Sequence, residues 1–295
     1  MRSRHSAERR PQPKSTPIAR KRFGQHFLAE SWARRVVAAV GVEPGDVFLE
    51  IGPGTGALTL PLAEAGRPIL ALDIDRALVA GLAPRVPPHV TVMAGDVLST
   101  DVMPYLTGLE PQRPPQLSSP RTPRRYRVVG NLPYNIASPI LFRLLAWYET
   151  HGMPVDATVM VQREVADRLA AKPGSKAYGV LTVLVRLHAD VHRLFDLPPA
   201  AFRPQPKVRS SVIRLVFRPP AIHVRDIALF ERMVKAMFGQ RRKTLANALK
   251  AFRPDAREIL ARSGLDGRRR PETLQLVEMA QLADLFASAK QASVL

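Results

Sequence analysis

The residues of this chain most suited to chemistry are Asn131-Leu132-Pro133-Tyr134. They follow a mostly apolar run, Tyr126 to Gly130, that reads as a buried strand. An amide at a strand's carboxyl end can accept a hydrogen bond from an amino group. Pro133 fixes its own φ near −65° and biases Leu132 toward an extended backbone, so the nearby carbonyls point in set directions. The Tyr134 ring can stack on a planar base. Together the four suit holding the exocyclic amine of a flipped nucleobase. Taken alone, the stretch reads equally well as a turn, because Asn and Pro are common turn residues.

A second group lies upstream. Glu50-Ile51-Gly52-Pro53-Gly54-Thr55-Gly56-Ala57 ends an apolar run, and its glycines allow a tight turn and close approach of backbone to a ligand. Asp73 follows Gly52 by twenty-one residues, where a carboxylate can take both ribose hydroxyls of a nucleotide-like cofactor. The run also fits the looser pattern G-x-G-x-x-A of dinucleotide sites, so an NAD enzyme is compatible with these residues. The acidic start at Glu50 and the later Gly95-Asp96 favour S-adenosylmethionine, with Asp96 placed to hydrogen-bond the adenine amine; by itself Asp96 is equally a turn or cap residue.

The elements that must position these groups alternate. Strands are expected at Val47–Ile51, Pro68–Leu72, His89–Met93, Arg127–Val129, Ala157–Val161, Val191–Leu194 and Val212–Phe217. Helices are expected at Ser31–Val40, with Ser31 as N-cap and Gly41 as its end, and at Ala57–Ala65, Arg76–Ala83, Pro139–Glu149 and Gln162–Ala171. That alternation implies an α/β fold, an open sheet with helices on both faces. After Pro219-Pro220, Leu229, Phe230, Met233, Val234, Met237 and Phe238 fall at helical spacing, continued by Leu245, Leu249, Leu274, Val277 and Leu282. These apolar stripes are core positions of a small all-helical second domain. The expected division is a disordered basic tail over 1–20, a catalytic domain over 21–218 and a helical domain over 219–295. Residues 107–125 read as a Pro-rich, basic loop.

The net charge of +19 over 295 residues points to a polyanionic partner, nucleic acid before a membrane surface. The excess sits at the ends: residues 1–22 and 217–295 carry a net +7 each, and the long middle only +5. The absence of cysteine excludes disulfides, Cys-ligated zinc and thiol catalysis. No run of eighteen apolar residues supports a membrane span, and the N-terminus lacks the apolar stretch of a secretory signal. A basic, acid-poor N-terminus is compatible with a transit peptide, against which its prolines count.

Seven runs together resemble the ribosomal RNA adenine N6,N6-dimethyltransferase family: Lys21-Arg-Phe-Gly-Gln-His-Phe-Leu28, Glu50–Gly56, Gly95-Asp96-Val-Leu98, Gly130-Asn-Leu-Pro-Tyr-Asn135, Met160–Ala166, Phe202–Val208 and Gln240–Leu245. The resemblance spans about residues 20–285. The last two runs look like the branch that modifies small-subunit RNA, and large-subunit resistance enzymes share the first four.

The resemblance implies a Rossmann-like methyltransferase sheet with S-adenosylmethionine as cofactor. Gln25, His26 and Leu28 would close over the methionine end; His26 stands where many relatives carry Asn. Gly52 and Gly54 would lie against the cofactor, Asp73 would hold the ribose where most relatives carry Glu, and Asp96 and Val97 would bracket the adenine. Asn131, Pro133 and Tyr134 would orient the target amine, with Asn131 also beside the cofactor. Phe202 would stack on the base opposite Tyr134, equally a core aromatic by its setting. Arg241, Arg242 and Lys243 would grip phosphates, and the Lys172–Tyr178 loop would gate the site.

The reaction implied is dimethylation of N6 on two adjacent adenosines near the 3′ end of small-subunit RNA, in the immature small ribosomal subunit. It needs no metal. A cytoplasmic monomer with no membrane partner is expected. A large-subunit methyltransferase, and a non-catalytic or dual-role assembly factor, are the alternatives.

Overall fold

The computed structural model describes residues 26–109, 123–220 and 222–292. The tail 1–20, Gln25 with the start of its motif, and most of the Pro-rich loop lie outside the described residues.

In chain order the elements are β1 (Phe27–Leu28), α1 (Glu30–Val40), β2 (Asp46–Ile51), α2 (Thr59–Ala63), β3 (Ile69–Asp73), α3 (Arg76–Leu82), β4 (Val90–Ala94), α4 (Met103–Gly108), β5 (Arg125–Asn131), α5 (Ala137–His151), β6 (Asp156–Gln162), α6 (Arg163–Ala170), α7 (Val180–His188), β7 (Ala189–Leu197), β8 (Phe202–Arg203), β9 (Ser210–Phe217), α8 (Ile227–Gly239), α9 (Leu245–Lys250), α10 (Ala256–Ser263) and α11 (Leu276–Ala292). Seven strands form one sheet in the order β4-β3-β2-β5-β6-β9-β7. The first five are parallel, and β9 runs antiparallel to both β6 and β7. Every residue of β2 and β3 is buried, as expected of parallel strands covered on both faces.

From β2 the chain winds outward through β3 to β4, then returns to place β5 and β6 on the other side. The reversal point, between β2 and β5, is where open α/β sheets bind ligands. Here it brings the Gly52 loop beside Asn131. The two strands approach closely: Gly130 faces Ile51, and a Cβ on Gly130 would lie 2.5 Å from the Ile51 carbonyl oxygen. Only glycine fits there.

At the opposite end of these strands Arg127, 1 % exposed, locks three elements together. It donates to Asp46 at 2.7 Å and to both oxygens of Asp156 at 2.9 and 2.7 Å. It also donates to the Val40 and Gly41 carbonyls at the end of α1.

The expected helix start at Ser31 is corrected. Helix α1 begins at Glu30 with Ala29 as its cap, because the Ala29 N–H is fixed by the Ala201 carbonyl at 2.8 Å and the Ala29 carbonyl accepts from Trp32 and Ala33. Gly41 ends α1 at φ 63°, as expected. Three features had no counterpart in the expected elements. Met103–Gly108 forms α4, which with β5 starting at Arg125 trims the expected 107–125 loop at both ends. Val180–His188 forms α7, whose near-continuous apolar composition (VLTVLVRLH) obscures a helical period because the helix is buried almost all round. Strand β1 pairs with β8, Phe27 opposite Arg203, in a separate two-stranded ribbon.

The C-terminal helices form where the apolar spacing placed them. Leu229, Phe230, Met233, Val234 and Met237 are buried on α8, and Leu245 and Leu249 on α9. Val277, by contrast, is 43 % exposed on the outer face of α11. One continuous apolar cluster runs from the sheet, through Val183 and Leu184 of α7, to Phe230 of α8 and Phe286 of α11.

Candidate active site

A cleft of about 950 Å³, counting the solvent at its mouth, opens at the carboxyl ends of β2 and β5. Strand β2 delivers Glu50 and the loop Gly52-Pro53-Gly54 to its floor. Asp73 and Ile74 close one side, with Asp96 and Val97 beyond them. Asn131 to Tyr134 form the opposite wall, and His26 to Leu28 cross over the top.

Gly54 has φ +58°, a left-handed conformation, and a Cβ there would sit 3.3 Å from the Phe27 ring. Its N–H donates to Asp73 Oδ2 at 3.0 Å, while Asp73 Oδ1 accepts from the Asp75 N–H at 2.8 Å. The Asp73 carboxylate thus fastens the glycine loop to β3 in addition to facing the cleft. Burial raises its pKa above the usual carboxylate range, against the pull of those two N–H groups. On Asp96, Oδ1 accepts from the Leu98 N–H at 2.9 Å, which fixes the carboxylate at the cleft edge.

Glu50 is 1 % exposed, and its Oε2 has no hydrogen-bond partner. Burial, reinforced by the nearby Asp73, pushes its pKa up to about 7. A buried acceptor without a donor, beside a loop whose glycines let a ligand approach the backbone closely, fits a cationic ligand that brings its own N–H groups. S-adenosylmethionine meets that description, with an ammonium at one end and a nucleoside at the other. Glu50, Gly52 and Gly54 would hold the amino-acid end, and Asp73, Asp96 and Val97 the nucleoside.

The opposite wall is built for an amine. Asn131 Nδ2 donates to the His26 carbonyl at 2.8 Å. A carbonyl only accepts, so the amide orientation is fixed by this bond. It leaves Oδ1, with no partner among the described residues, as the acceptor beside the cleft. The Pro133 carbonyl is already taken by the Ile136 N–H at 3.1 Å. The Leu132 carbonyl accepts no such bond among the described residues and is the freer second acceptor on this wall, although the Pro133 oxygen keeps one lone pair.

Tyr134 shares a 2.6 Å hydrogen bond with the buried Ser210 hydroxyl, and burial raises its phenol pKa. Its ring stacks on that of His26, centroids 5.6 Å apart and 24° from parallel. His26 Nδ1 bonds the Pro204 carbonyl at 2.7 Å, so Nδ1 carries the proton.

The structure therefore brings together His26, Leu28, Gly52, Gly54, Asp73, Asp96, Val97, Asn131, Pro133 and Tyr134. Three expectations need correction. Phe202 is 0 % exposed, packed with Leu28, Met160 and Val212, and offers no face to a base. Arg241 does not stand free for phosphate: it donates to the Ser175 carbonyl at 3.1 Å and lies 4.0 Å from Glu272. Arg242 and Lys243 beside it are exposed. The Lys172–Tyr178 loop does not line the cleft; Gly174 N–H donates to the Glu272 carbonyl at 2.7 Å, and Tyr178 meets Phe238 edge-on, which docks the loop on the C-terminal helices. Ser210 went unnoticed in the sequence because it lies 76 positions from Tyr134 and has no motif of its own.

A family model described as ribosomal RNA adenine dimethylase matches residues 18–288. Ribosomal RNA small subunit methyltransferase A of Magnetococcus marinus is 44 % identical over 273 residues, 90 % of each chain. The protein of the same name from Xanthomonas oryzae pv. oryzae is 42 % identical over 271 residues, 90 % of this chain and 96 % of that one. Among solved structures, a dimethyladenosine transferase from Plasmodium falciparum superposes with a TM-score of 0.68 at 20 % identity, covering 90 % of this chain and 98 % of that one. The 23S rRNA methyltransferase ErmE superposes with 0.61 at 23 % identity, covering 88 % and 99 %. At those identities the two structures speak to the fold, a Rossmann-like methyltransferase sheet carrying a helical C-terminal unit. The match over nearly the whole chain, on a cleft built as described, places this chain in the ribosomal RNA adenine dimethylase family.

Proposed function

We propose that this protein dimethylates N6 of two adjacent adenosines near the 3′ end of small-subunit (16S) ribosomal RNA, acting in the cytoplasm on the immature small subunit. The observation that carries the reading is the fixed Asn131 amide. Its nitrogen is committed to the His26 carbonyl, so Oδ1 can only accept, as a target amine requires. The small-subunit choice rests on relatives of that name at 42–44 % identity. The division into a catalytic unit over 21–218 and a helical RNA-binding unit over 219–295 belongs to the same reading, with Arg242 and Lys243 as the exposed phosphate contacts.

When bound, S-adenosylmethionine supplies a methyl group already activated by its sulfonium. The adenine amine is a poor nucleophile because its lone pair is delocalised into the ring. Asn131 Oδ1 and the Leu132 carbonyl accept its two N–H bonds, which draws the nitrogen toward a tetrahedral geometry and aims the lone pair along the line of transfer. Positive charge growing on that nitrogen meets two fixed dipoles. Holding the reacting atoms in line supplies much of the rate. Tyr134 carries the base by stacking, with its hydroxyl anchored on Ser210. The proton leaves after transfer, so no strong base is needed.

Purified protein would be incubated with S-adenosylmethionine and unmodified small or large ribosomal subunits, and the digested RNA read by nucleoside mass spectrometry. N6,N6-dimethyladenosine from small subunits alone is expected. Product from large subunits alone would reverse the substrate, and binding with no product from either would make the protein an assembly factor.

A further inference from the structure

The seven residues Arg203-Pro-Gln-Pro-Lys-Val-Arg209 form a loop tied at both ends, directly or through the next residue, to side chains that line the cleft. At one end, β8 pairs with β1, and the Pro204 carbonyl accepts from His26 Nδ1 at 2.7 Å. At the other, the Arg209 carbonyl accepts from the Arg163 N–H at 2.9 Å, and the next residue, Ser210, holds the Tyr134 hydroxyl. Both ends thus converge on the His26–Tyr134 aromatic pair.

Between those anchors Arg203, Lys207 and Arg209 are exposed, and none has a carboxylate partner among the described residues. Their neighbours differ. Arg163 lies 3.8 Å from Asp167, Arg168 is paired with Glu164, and Arg193 is held by both Asp167 and Asp196. Neutralising partners are therefore spread over the adjoining α6 and β7 surface and withheld from this loop. Val208, 43 % exposed, adds an apolar contact between two of the cations.

Single-stranded nucleic-acid sites combine an aromatic platform with cations that follow the backbone. We propose that the 203–209 loop is a phosphate-binding rim: Arg203, Lys207 and Arg209 take the phosphates on either side of the flipped adenosine and so set which nucleotide reaches Tyr134. This rests on the RNA methyltransferase reading and adds a strand-positioning surface separate from the C-terminal contacts at Arg242 and Lys243. A base stacked on Tyr134 carries its ribose and flanking phosphates outward, past the loop that anchors the Tyr134 hydroxyl.

The test uses the full chain and the triple variant R203Q/K207Q/R209Q, with binding to unmodified small subunits measured across a salt series. Each single-strand phosphate contact contributes about 0.7 to the slope of log affinity against log salt, so the triple variant should lose about 2 from that slope. Methyl transfer at limiting subunit concentration should fall roughly tenfold or more, with kcat at saturation less affected. Affinity for S-adenosylmethionine and the thermal midpoint should stay at wild-type values, which excludes misfolding, and Arg203→Lys should keep most of the slope lost in Arg203→Gln. An unchanged slope with unchanged transfer efficiency overturns the rim. Because the slope is a binding measurement, it judges the rim even if the wild-type protein yields no dimethyladenosine, the result that would defeat the catalytic reading. Wild-type protein that fails to bind small subunits defeats both.

Discussion

Replacing Asn131 separates two jobs that one side chain performs. Asn131→Ala removes the 2.8 Å bond from Nδ2 to the His26 carbonyl, a half-buried contact worth about 0.5–1.5 kcal/mol. Since His26 to Leu28 cross the top of the cleft, that loss should weaken S-adenosylmethionine binding by up to about tenfold. The same substitution removes Oδ1, the acceptor aimed at developing positive charge. By comparison with the loss of one oxyanion-hole donor, about 2.7–4 kcal/mol, kcat should fall about 10²- to 10³-fold.

Asn131→Asp has nearly the same shape but reverses the balance. It keeps an acceptor for the amine, yet turns a second acceptor toward the His26 carbonyl, which no longer finds a donor. The aspartate should therefore bind cofactor more weakly than the alanine and turn over faster once saturated. Calorimetric titration with S-adenosylmethionine and single-turnover methyl transfer at saturating cofactor read the two effects separately. An aspartate variant with wild-type cofactor affinity would show that the Nδ2 bond does not hold the top of the cleft. An alanine variant with kcat within about threefold of wild type would refute the acceptor role.

Tyr134→Phe should keep the stacking surface but leave the buried Ser210 hydroxyl unpaired, at a cost of about 1–3 kcal/mol in stability, whereas Tyr134→Ala also loses about 1–3 kcal/mol of base stacking. Steady-state kcat/KM on small subunits should therefore fall further for Ala than for Phe, and equal losses would mean the ring does not carry the base. Glu50 has a folded-state pKa of about 7 against an ordinary 4.5, so its contribution to stability is fully present below pH 4.5 and is lost as the pH rises through about 7. The full swing is roughly 3 kcal/mol. Glu50→Gln should flatten the ligand-free protein's unfolding free energy between about pH 5 and pH 8, and curves that stay parallel to wild type in urea titrations would show that Glu50 is ionised throughout. Gly130→Ala places a methyl 2.5 Å from a backbone oxygen that cannot swing aside, so stability should drop by about 1–3 kcal/mol or more; a wild-type urea midpoint would contradict the close approach of β2 and β5.

The cleft was legible in the sequence to the extent that its parts are local. Gly52, Gly54 and Asn131–Tyr134 sit at strand ends, and strand ends follow from apolar runs meeting glycine, proline or asparagine. The C-terminal helices were legible for the same reason, since Leu229 to Met237 repeat at helical spacing. What escaped depends on partners far along the chain. Ser31 has the chemistry of an N-cap, but Ala29 takes the position because Ala201 fixes its N–H. Arg241 looks like a phosphate ligand until Ser175 and Glu272 arrive beside it. Phe202 reads equally as platform or core, and only the packing of Leu28, Met160 and Val212 decides for core. Helix α7 escaped because a segment buried on all sides carries no period to read.

The ribbon formed by β1 and β8 has a consequence for the order in which the protein can become competent. His26 and Pro204 are 178 positions apart, yet their contact seats the top of the cleft. At a synthesis rate of about 5–20 residues per second, the partner for His26 is made roughly 9–36 s after His26 itself. Through that interval β2 to β6 can pair, and the glycine loop can form, while the segment that will cover them has nothing to dock against. A nascent chain is therefore a half-open vessel whose cover is fitted from its own later product. Tight retention of S-adenosylmethionine should begin only once Pro204 has left the ribosome, so the glycine loop exists well before the cover that completes the binding site.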